Sequence, residues 1–266
     1  MSDGSIAFFD SGLGGVPYLL EARRRAPGHA YTYYADTAHF PYGDQPVRAL
    51  RRIVVDSVSR LIELVHPRVV VVACNTASVV GLGELRARFP VAFVGVVPAI
   101  KPAAERAVRI GVLATTRTVR DRYVRGLIRR FAAKKPVTLV AAGGLVRVIE
   151  EQLGSLDEQY VRDILREPMA RFVEAGVTTI VLGCTHFVHV RDIIRDMAGE
   201  HVGVIDSVDG VVRRTLDLAG SPPGEAPGTT RLLVSDTRRA GSGYAYLVRA
   251  HGFEPDHLHA SYHTHR

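Results

Sequence analysis

Val69-Val70-Val71-Val72-Ala73-Cys74-Asn75-Thr76 is an apolar run that ends on a small residue, a cysteine and two polar groups. A second stretch repeats the pattern: Thr179-Ile180-Val181-Leu182-Gly183-Cys184-Thr185-His186. Runs this short and apolar on both faces are those of parallel strands covered by helices on either side. An earlier pair strengthens the echo, because Ile6 to Phe9 leading into Asp10-Ser11-Gly12 is matched by Ile110 to Ala114 leading into Thr115-Thr116. Each half has one strand ending in polar residues and a later strand ending in cysteine, so the chain reads as two pseudo-repeats.

Around these strands, further short apolar runs (Tyr31 to Ala35, Val91 to Gly95, Val137 to Ala141, Val202 to Ile205) alternate with longer stretches such as Pro46 to Val65 and Tyr160 to Val173, whose apolar residues recur at helical spacing. The expected fold class is α/β: two pseudo-symmetric domains, each a mainly parallel sheet flanked by helices, with the active site in the interdomain cleft. The expected crossover falls near Val97-Pro98 and the return near Asp206. This gives a first domain of residues 1–97 plus 206–266 carrying Cys74, and a second of residues 98–205 carrying Cys184. The Pro/Gly-rich stretch Ser221 to Gly228 reads as a loop, followed by a strand at Arg231 to Val234 and a helix near Gly243 to His251.

Composition narrows the function classes. With 266 residues, 47% of them hydrophobic, the chain can bury a substantial core. The first apolar run is cut by Asp10 and lacks a basic leader, and no stretch approaches about 18 uninterrupted apolar residues. Neither secretion nor membrane spanning is supported, and the expected location is the cytoplasm. The formal charge of +7 permits long-range attraction to anions. Its clusters, Arg23-Arg24-Arg25 and Arg129-Arg130, fall on expected helices, where a solvated face explains them, and no nucleic-acid motif accompanies them. The tail histidines His257, His259, His263 and His265 lack cysteine or acidic partners and read as solvated, so no metal site is expected.

Two cysteines are too few for a disulfide framework, which leaves buried, metal-binding or catalytic thiols. Both stand at the carboxyl ends of strands, where open parallel sheets bind ligands. Both also precede a turn into a helix, whose N-terminus is expected to lower a thiol pKa from about 8.5. Either cysteine alone reads as a small buried hydrophobe; two in matched positions do not. They lie too far apart in sequence for a local metal knuckle, but suitably to face one another across a cleft. Inverting a carbon centre needs a base on one face and an acid on the other, and two identical groups run that exchange in both directions. A nucleophilic cysteine would instead call for one thiol with a dedicated histidine and leave the second thiol unexplained.

Several segments resemble the signature segments of the glutamate racemases: Asp10-Ser11-Gly12-Leu13-Gly14-Gly15, Ala35-Asp36-Thr37-Ala38, Pro41-Tyr42-Gly43, Ala73-Cys74-Asn75-Thr76-Ala77-Ser78 and Leu182-Gly183-Cys184-Thr185-His186. Gly111 to Thr115 and Val204 to Ser207 extend the match in the same order. The resemblance implies two α/β domains, no pyridoxal phosphate or other cofactor, no metal, and a glutamate whose Cα proton is exchanged between Cys74 and Cys184. It further implies D-glutamate for peptidoglycan synthesis and a homodimer. Asp10 and His186 would each assist the cysteine on its own side, with Glu150 of the Glu150-Glu151 pair aligned to partner His186. Ser11, Asn75, Thr76, Thr118 and Thr185 would bind substrate, and Pro41, Tyr42 and Gly43 would meet its side chain.

Without the resemblance, Asp10 reads equally as a helix N-cap, His186 as a helix N-terminal residue and Glu150 as an exposed helix glutamate. The sequence departs from the family in two places. Asp44 leads to Gln45-Pro46 where the family has a Lys-Ser pair, and Ala142-Gly143-Gly144 stands where it has Cys-Pro-Leu. A racemase of aspartate, of a hydantoin or of another acidic amino acid would keep both cysteines. A non-catalytic binding or regulatory protein is the alternative of a different class.

Overall fold

Ten strands form two sheets in the computed structural model, which describes residues 4–224 and 226–256. The four tail histidines, and Glu225 within the Pro/Gly loop, lie outside the described residues. In chain order the strands are β1 Ile6–Asp10, β2 Tyr31–Ala35, β3 Val69–Val72, β4 Ala92–Gly95, β5 Ile110–Ala114, β6 Val137–Ala141, β7 Thr179–Leu182, β8 Gly203–Ile205, β9 Thr230–Val234 and β10 Glu254–Asp256. The larger sheet runs β10-β9-β2-β1-β3-β4 and the smaller β6-β5-β7-β8. Every pairing is parallel.

The internal echo is a topological repeat. The β2-β1-β3-β4 part of the larger sheet has the strand order of β6-β5-β7-β8, with β1 matching β5 and β3 matching β7. Register agrees as well: Ile6 stands opposite Val69 in one sheet and Ile110 opposite Thr179 in the other. The two cysteines therefore leave equivalent central strands at equivalent heights.

Alternation along each strand explains why these runs are apolar throughout. In the larger sheet Ile6, Phe8, Val69 and Val71 face one core, while Ala7, Phe9, Val70 and Val72 face another on the opposite side. The smaller sheet divides likewise, with Ile110, Val112 and Val181 on one side and Leu113, Ile180 and Leu182 on the other. Covering helices supply the partners: Val47–Val65 packs on Asn75–Arg88, and Glu158–Glu174 on Arg191–Ala198. After β8, the helix Val208–Ala219 packs on Val16–Arg25 and returns the chain to the larger sheet, which β9 and β10 extend.

Two local differences from the sequence expectation bear on the site. Cys74 leads into an α-helix, Asn75–Arg88, but Cys184 leads into a six-residue 3-10 helix, Thr185–Val190, opened by the Phe187 amide donating to the Cys184 carbonyl at 3.2 Å. Asp10 is the last residue of β1 rather than a helix N-cap; that position belongs to Gly15, before Val16–Arg25. Among the described residues, no helix is long and apolar enough to cross a membrane.

Candidate active site

The carboxyl ends of the two sheets meet around a cavity of about 390 Å³. Cys74 and Cys184 both line it, each 7% exposed. Their backbones match closely, with φ −130° and ψ 121° at Cys74 and φ −138° and ψ 135° at Cys184. Both are the extended residue preceding a helical turn, so the strand projects the thiol while the turn offers free amides. Ser11, Pro41, Tyr42, Gly43, Asn75, Thr76, Thr118, Thr185 and His186 share the wall. Asp10 and Glu150 are absent from it; they are buried carboxyls that bond to wall residues, Asp10 to Ser11 and Thr185 and Glu150 to His186.

Behind Cys74 stands Asp10, fully buried at the end of β1. Its Oδ1 accepts from the Ser11 amide at 2.6 Å and the Ser11 hydroxyl at 3.2 Å, and its Oδ2 accepts from the Thr185 hydroxyl of the other half at 3.4 Å. Burial pushes this carboxyl up to about 6, against the pull of His186, with Glu150 adding to the rise. Cys74 moves opposite to the helix-terminus expectation. Burial raises its thiol well above the ordinary range and the Asp10 charge adds to this, while hydrogen bonds from the Ala77 and Thr76 amides only partly offset them. Desolvation outweighs the helix N-terminus, and Cys74 rests as a neutral thiol.

Behind Cys184 stands a relay of different construction. Its sulfur lies 3.9 Å from His186 Nδ1, and His186 Nε2 lies 2.9 Å from Glu150 Oε2. Burial alone would lower the imidazolium pKa, but the Cys184 hydrogen bond and Glu150 override it and hold His186 well above the usual histidine range. Burial likewise pushes Glu150 up, yet its bonds to His186, the Tyr244 hydroxyl and the Leu13 amide bring it below the ordinary carboxylate range. Those last two bonds measure 2.6 Å to Tyr244 and 2.8 Å to Leu13. Glu150 is 7% exposed, whereas Glu151, the other member of the acidic pair, is exposed.

The glycine run of the β1 loop has a steric cause. A Cβ on Gly12 would stand 2.4 Å from the Glu150 carboxylate, and one on Gly14 would stand 2.4 Å from His186 Nδ1. Only the lack of a side chain at Gly12 and Gly14 lets the Leu13 amide reach Glu150. Tyr33 fastens the same loop, its hydroxyl donating to the Gly12 carbonyl at 2.7 Å and accepting from the Gly15 amide at 3.1 Å.

Tyr42 offers the cavity less than its sequence position promised. Its hydroxyl donates to Asp36 Oδ2 at 2.6 Å, and Asp36 also accepts from Ser57 at 3.1 Å and Ser235 at 2.8 Å. The turn thus presents its backbone and the Pro41 ring, while the phenol anchors it from behind. On the far side of the cleft Arg117 fastens the turn, its Nε donating to the Gly43 carbonyl at 2.9 Å and Nη2 to the Gln45 carbonyl. The divergent pair Gly143-Gly144 opens the helix Gly143–Gln152 and lines the cavity. Sequence reasoning missed Tyr244, the Leu13 amide, Arg117 and Arg147, the last of which also lines the cavity. Among the described residues no group of three or more His, Cys, Asp or Glu side chains is placed to hold a metal ion.

Matched sheets meeting at one cavity, with thiols on equivalent strands, fit an amino-acid racemase, an isomerase. The family profile described as Asp/Glu/Hydantoin racemase matches residues 20–215. A glutamate racemase of Treponema pallidum is 39% identical over 253 residues, covering 93% of this chain and 92% of that protein. One from a Shewanella species is 40% identical over 215 residues, covering 80% and 78% respectively. The crystal structure of Escherichia coli glutamate racemase in complex with L-glutamate and the activator UDP-MurNAc-Ala superposes with a TM-score of 0.85 at 32% identity, covering 95% of this chain and 97% of that one. The chain belongs to the Asp/Glu/Hydantoin racemase family.

Proposed function

We propose that the protein interconverts L- and D-glutamate without a cofactor, Cys74 and Cys184 acting as acid and base on opposite faces of the Cα carbon. The observation that carries this reading is that both thiols line one cavity from equivalent strands, each with its own buried acidic support. The substrate is chosen from the relatives, which are glutamate racemases; the Escherichia coli protein is crystallised with L-glutamate.

In one direction the thiolate of Cys184 removes the Cα proton and becomes a thiol, while the Cys74 thiol gives its proton to the opposite face and becomes the thiolate. The reverse reaction exchanges the roles, so atoms and charge balance in each direction. His186, held as the imidazolium by Glu150, stabilises the Cys184 thiolate. Asp10, at the end of the strand that pairs with the one leading to Cys74, tunes the other side.

An amino-acid Cα proton is a weak acid, so the developing carbanion needs fixed donors in a water-poor cavity, each contributing about 3 kcal/mol in favourable cases. Thr76 and Thr118 supply hydroxyls and Thr185 its backbone amide for the substrate α-carboxylate, Ser11, whose amide and hydroxyl both donate to Asp10, offers its hydroxyl oxygen as an acceptor, and Pro41, Tyr42 and Gly43 close over the side chain. Asn75 lines the cavity, and among the described residues its buried Oδ1 has no hydrogen-bond partner, an unsatisfied acceptor at the substrate space.

On this reading residues 1–97 plus 206–266 and residues 98–205 are two domains that close about a hinge near Pro98. The protein works in the cytoplasm as a homodimer and supplies D-glutamate for peptidoglycan. The reaction is tested with single enantiomers of glutamate and of aspartate in deuterated water, without added cofactor, following optical activity and Cα deuteration. Glutamate is expected to racemise with deuterium uptake. Uptake with aspartate alone would contradict the substrate, and no uptake with either would contradict the reaction.

A further inference from the structure

One charged side chain on the cavity wall has no task in the proton transfer. The wall carries two guanidinium groups, Arg117 and Arg147. Arg117 is committed to the Gly43 and Gln45 carbonyls. Arg147 is exposed and, among the described residues, has no hydrogen-bond or ion-pair partner. It lies one turn ahead of Glu150 on the helix Gly143–Gln152, so the helix that delivers a carboxylate to His186 also presents an unpaired cation to the substrate space.

The wall beside it is bare. Gly143 and Gly144 send no side chain into the cavity, and a Cβ at Gly144 would meet nothing within 4 Å. Packing does not require glycine at Gly144, and the space there is open to a ligand. Charge balance gives the cation its significance. Asp44 is on the wall, Asp10 and Glu150 lie behind it and proton abstraction requires a thiolate as well, against His186, which is paired with Glu150, and Arg117, which is committed to the Gly43 and Gln45 carbonyls. A substrate that brings a second carboxylate meets this negative field, and a carboxylate leaving water needs a partner of opposite charge. A guanidinium on a long stem suits that task, because its planar fork pairs with both carboxylate oxygens.

We propose that Arg147 receives the side-chain carboxylate of the substrate and makes this racemase select acidic amino acids over their neutral isosteres. This assignment rests on the racemase reading above. The test compares the intact wild-type protein with Arg147→Gln and Arg147→Lys, using glutamate and glutamine as substrates and Cα deuteration as the readout. Arg147→Gln is expected to raise KM for glutamate about tenfold, to change kcat by no more than about twofold, and to cut the preference for glutamate over glutamine by about tenfold. Arg147→Lys is expected to restore part of the preference, since it keeps the charge and loses the fork. Added salt is expected to raise KM for glutamate in the wild type more than in Arg147→Gln. An unchanged KM and preference in Arg147→Gln, with wild-type exchange intact, overturns the assignment and leaves the racemase reading standing. A fall in kcat with KM untouched also overturns it, because the residue would then act on the chemistry. No exchange in the wild type overturns both.

Discussion

Cys74 and Cys184 leave equivalent strands in nearly the same backbone conformation, yet the groups behind them differ in kind. Cys74 is followed by an α-helix and backed by a buried carboxyl that holds its proton up to about pH 6, and its own thiol is pushed up by burial. Cys184 is followed by a 3-10 turn that places His186 two residues on, with its imidazolium fixed by Glu150. A repeated scaffold thus carries unlike groups behind its two thiols, a buried carboxyl behind Cys74 and His186 paired with Glu150 behind Cys184. The proposed two-thiol mechanism needs two groups at matched positions with opposite protonation, and unlike surroundings suit that need.

The largest effect expected from breaking this comparison comes from the thiols themselves. Cys74→Ser and Cys184→Ser should each lower net racemisation of glutamate by at least about a thousandfold, because a serine hydroxyl is far too weak an acid to replace a thiol at neutral pH. Steady-state polarimetry checks this, and a loss confined to one variant would break the symmetry of roles.

Removing the support on the Cys184 side should cost less. Glu150→Gln is expected to reduce kcat about a hundredfold. It should also move the alkaline limb of the pH profile to lower pH, since the carboxylate that keeps His186 protonated is gone. An unmoved limb would separate Glu150 from the titration of His186.

On the Cys74 side the sharper test is stability. Unfolded Asp10 gives up its proton near 3.8, whereas the folded protein keeps it to about 6. The group therefore favours folding below about pH 4, and that contribution is lost as pH rises through 6. Asp10→Asn is expected to stabilise the protein at pH 8 by about 2 kcal/mol, a Tm rise of roughly 5 °C, and to have little effect at pH 4. Calorimetry at the two pH values checks it. A smaller effect is expected for Tyr244→Phe, which removes the 2.6 Å bond to Glu150 and should reduce kcat several-fold, by about 1 kcal/mol, with KM nearly unchanged.

The scaffold was legible in the sequence because both-faced apolar runs such as Val69–Val72 and Thr179–Leu182 leave parallel strands as the natural reading, and the repeated Cys ending set them in correspondence. The strand Glu254–Asp256 was not, since it is short, exposed and contains Pro255, with no apolar run to betray it. The cavity wall was largely legible through segments following strand ends. The supports behind it were less so: the resemblance pointed to Glu150, but Tyr244 and the Leu13 amide converge on it from distant parts of the chain, and only folding brings them together. The resting state of Cys74 was misjudged because a helix N-terminus can be seen in sequence while depth of burial cannot. Arg147 did carry a signal, standing three residues before Glu150, but an exposed arginine on a helix is ordinarily a solvated one.

The claim that one thiol serves each face of the Cα carbon is tested most directly by following solvent deuterium into each enantiomer of glutamate separately, in Cys74→Ser and in Cys184→Ser. Each variant is expected to exchange the Cα proton of one enantiomer only, the opposite enantiomer in the two variants, with no net inversion in either. Exchange of both enantiomers by either variant, or retention of full racemisation in one of them, would contradict a two-thiol mechanism.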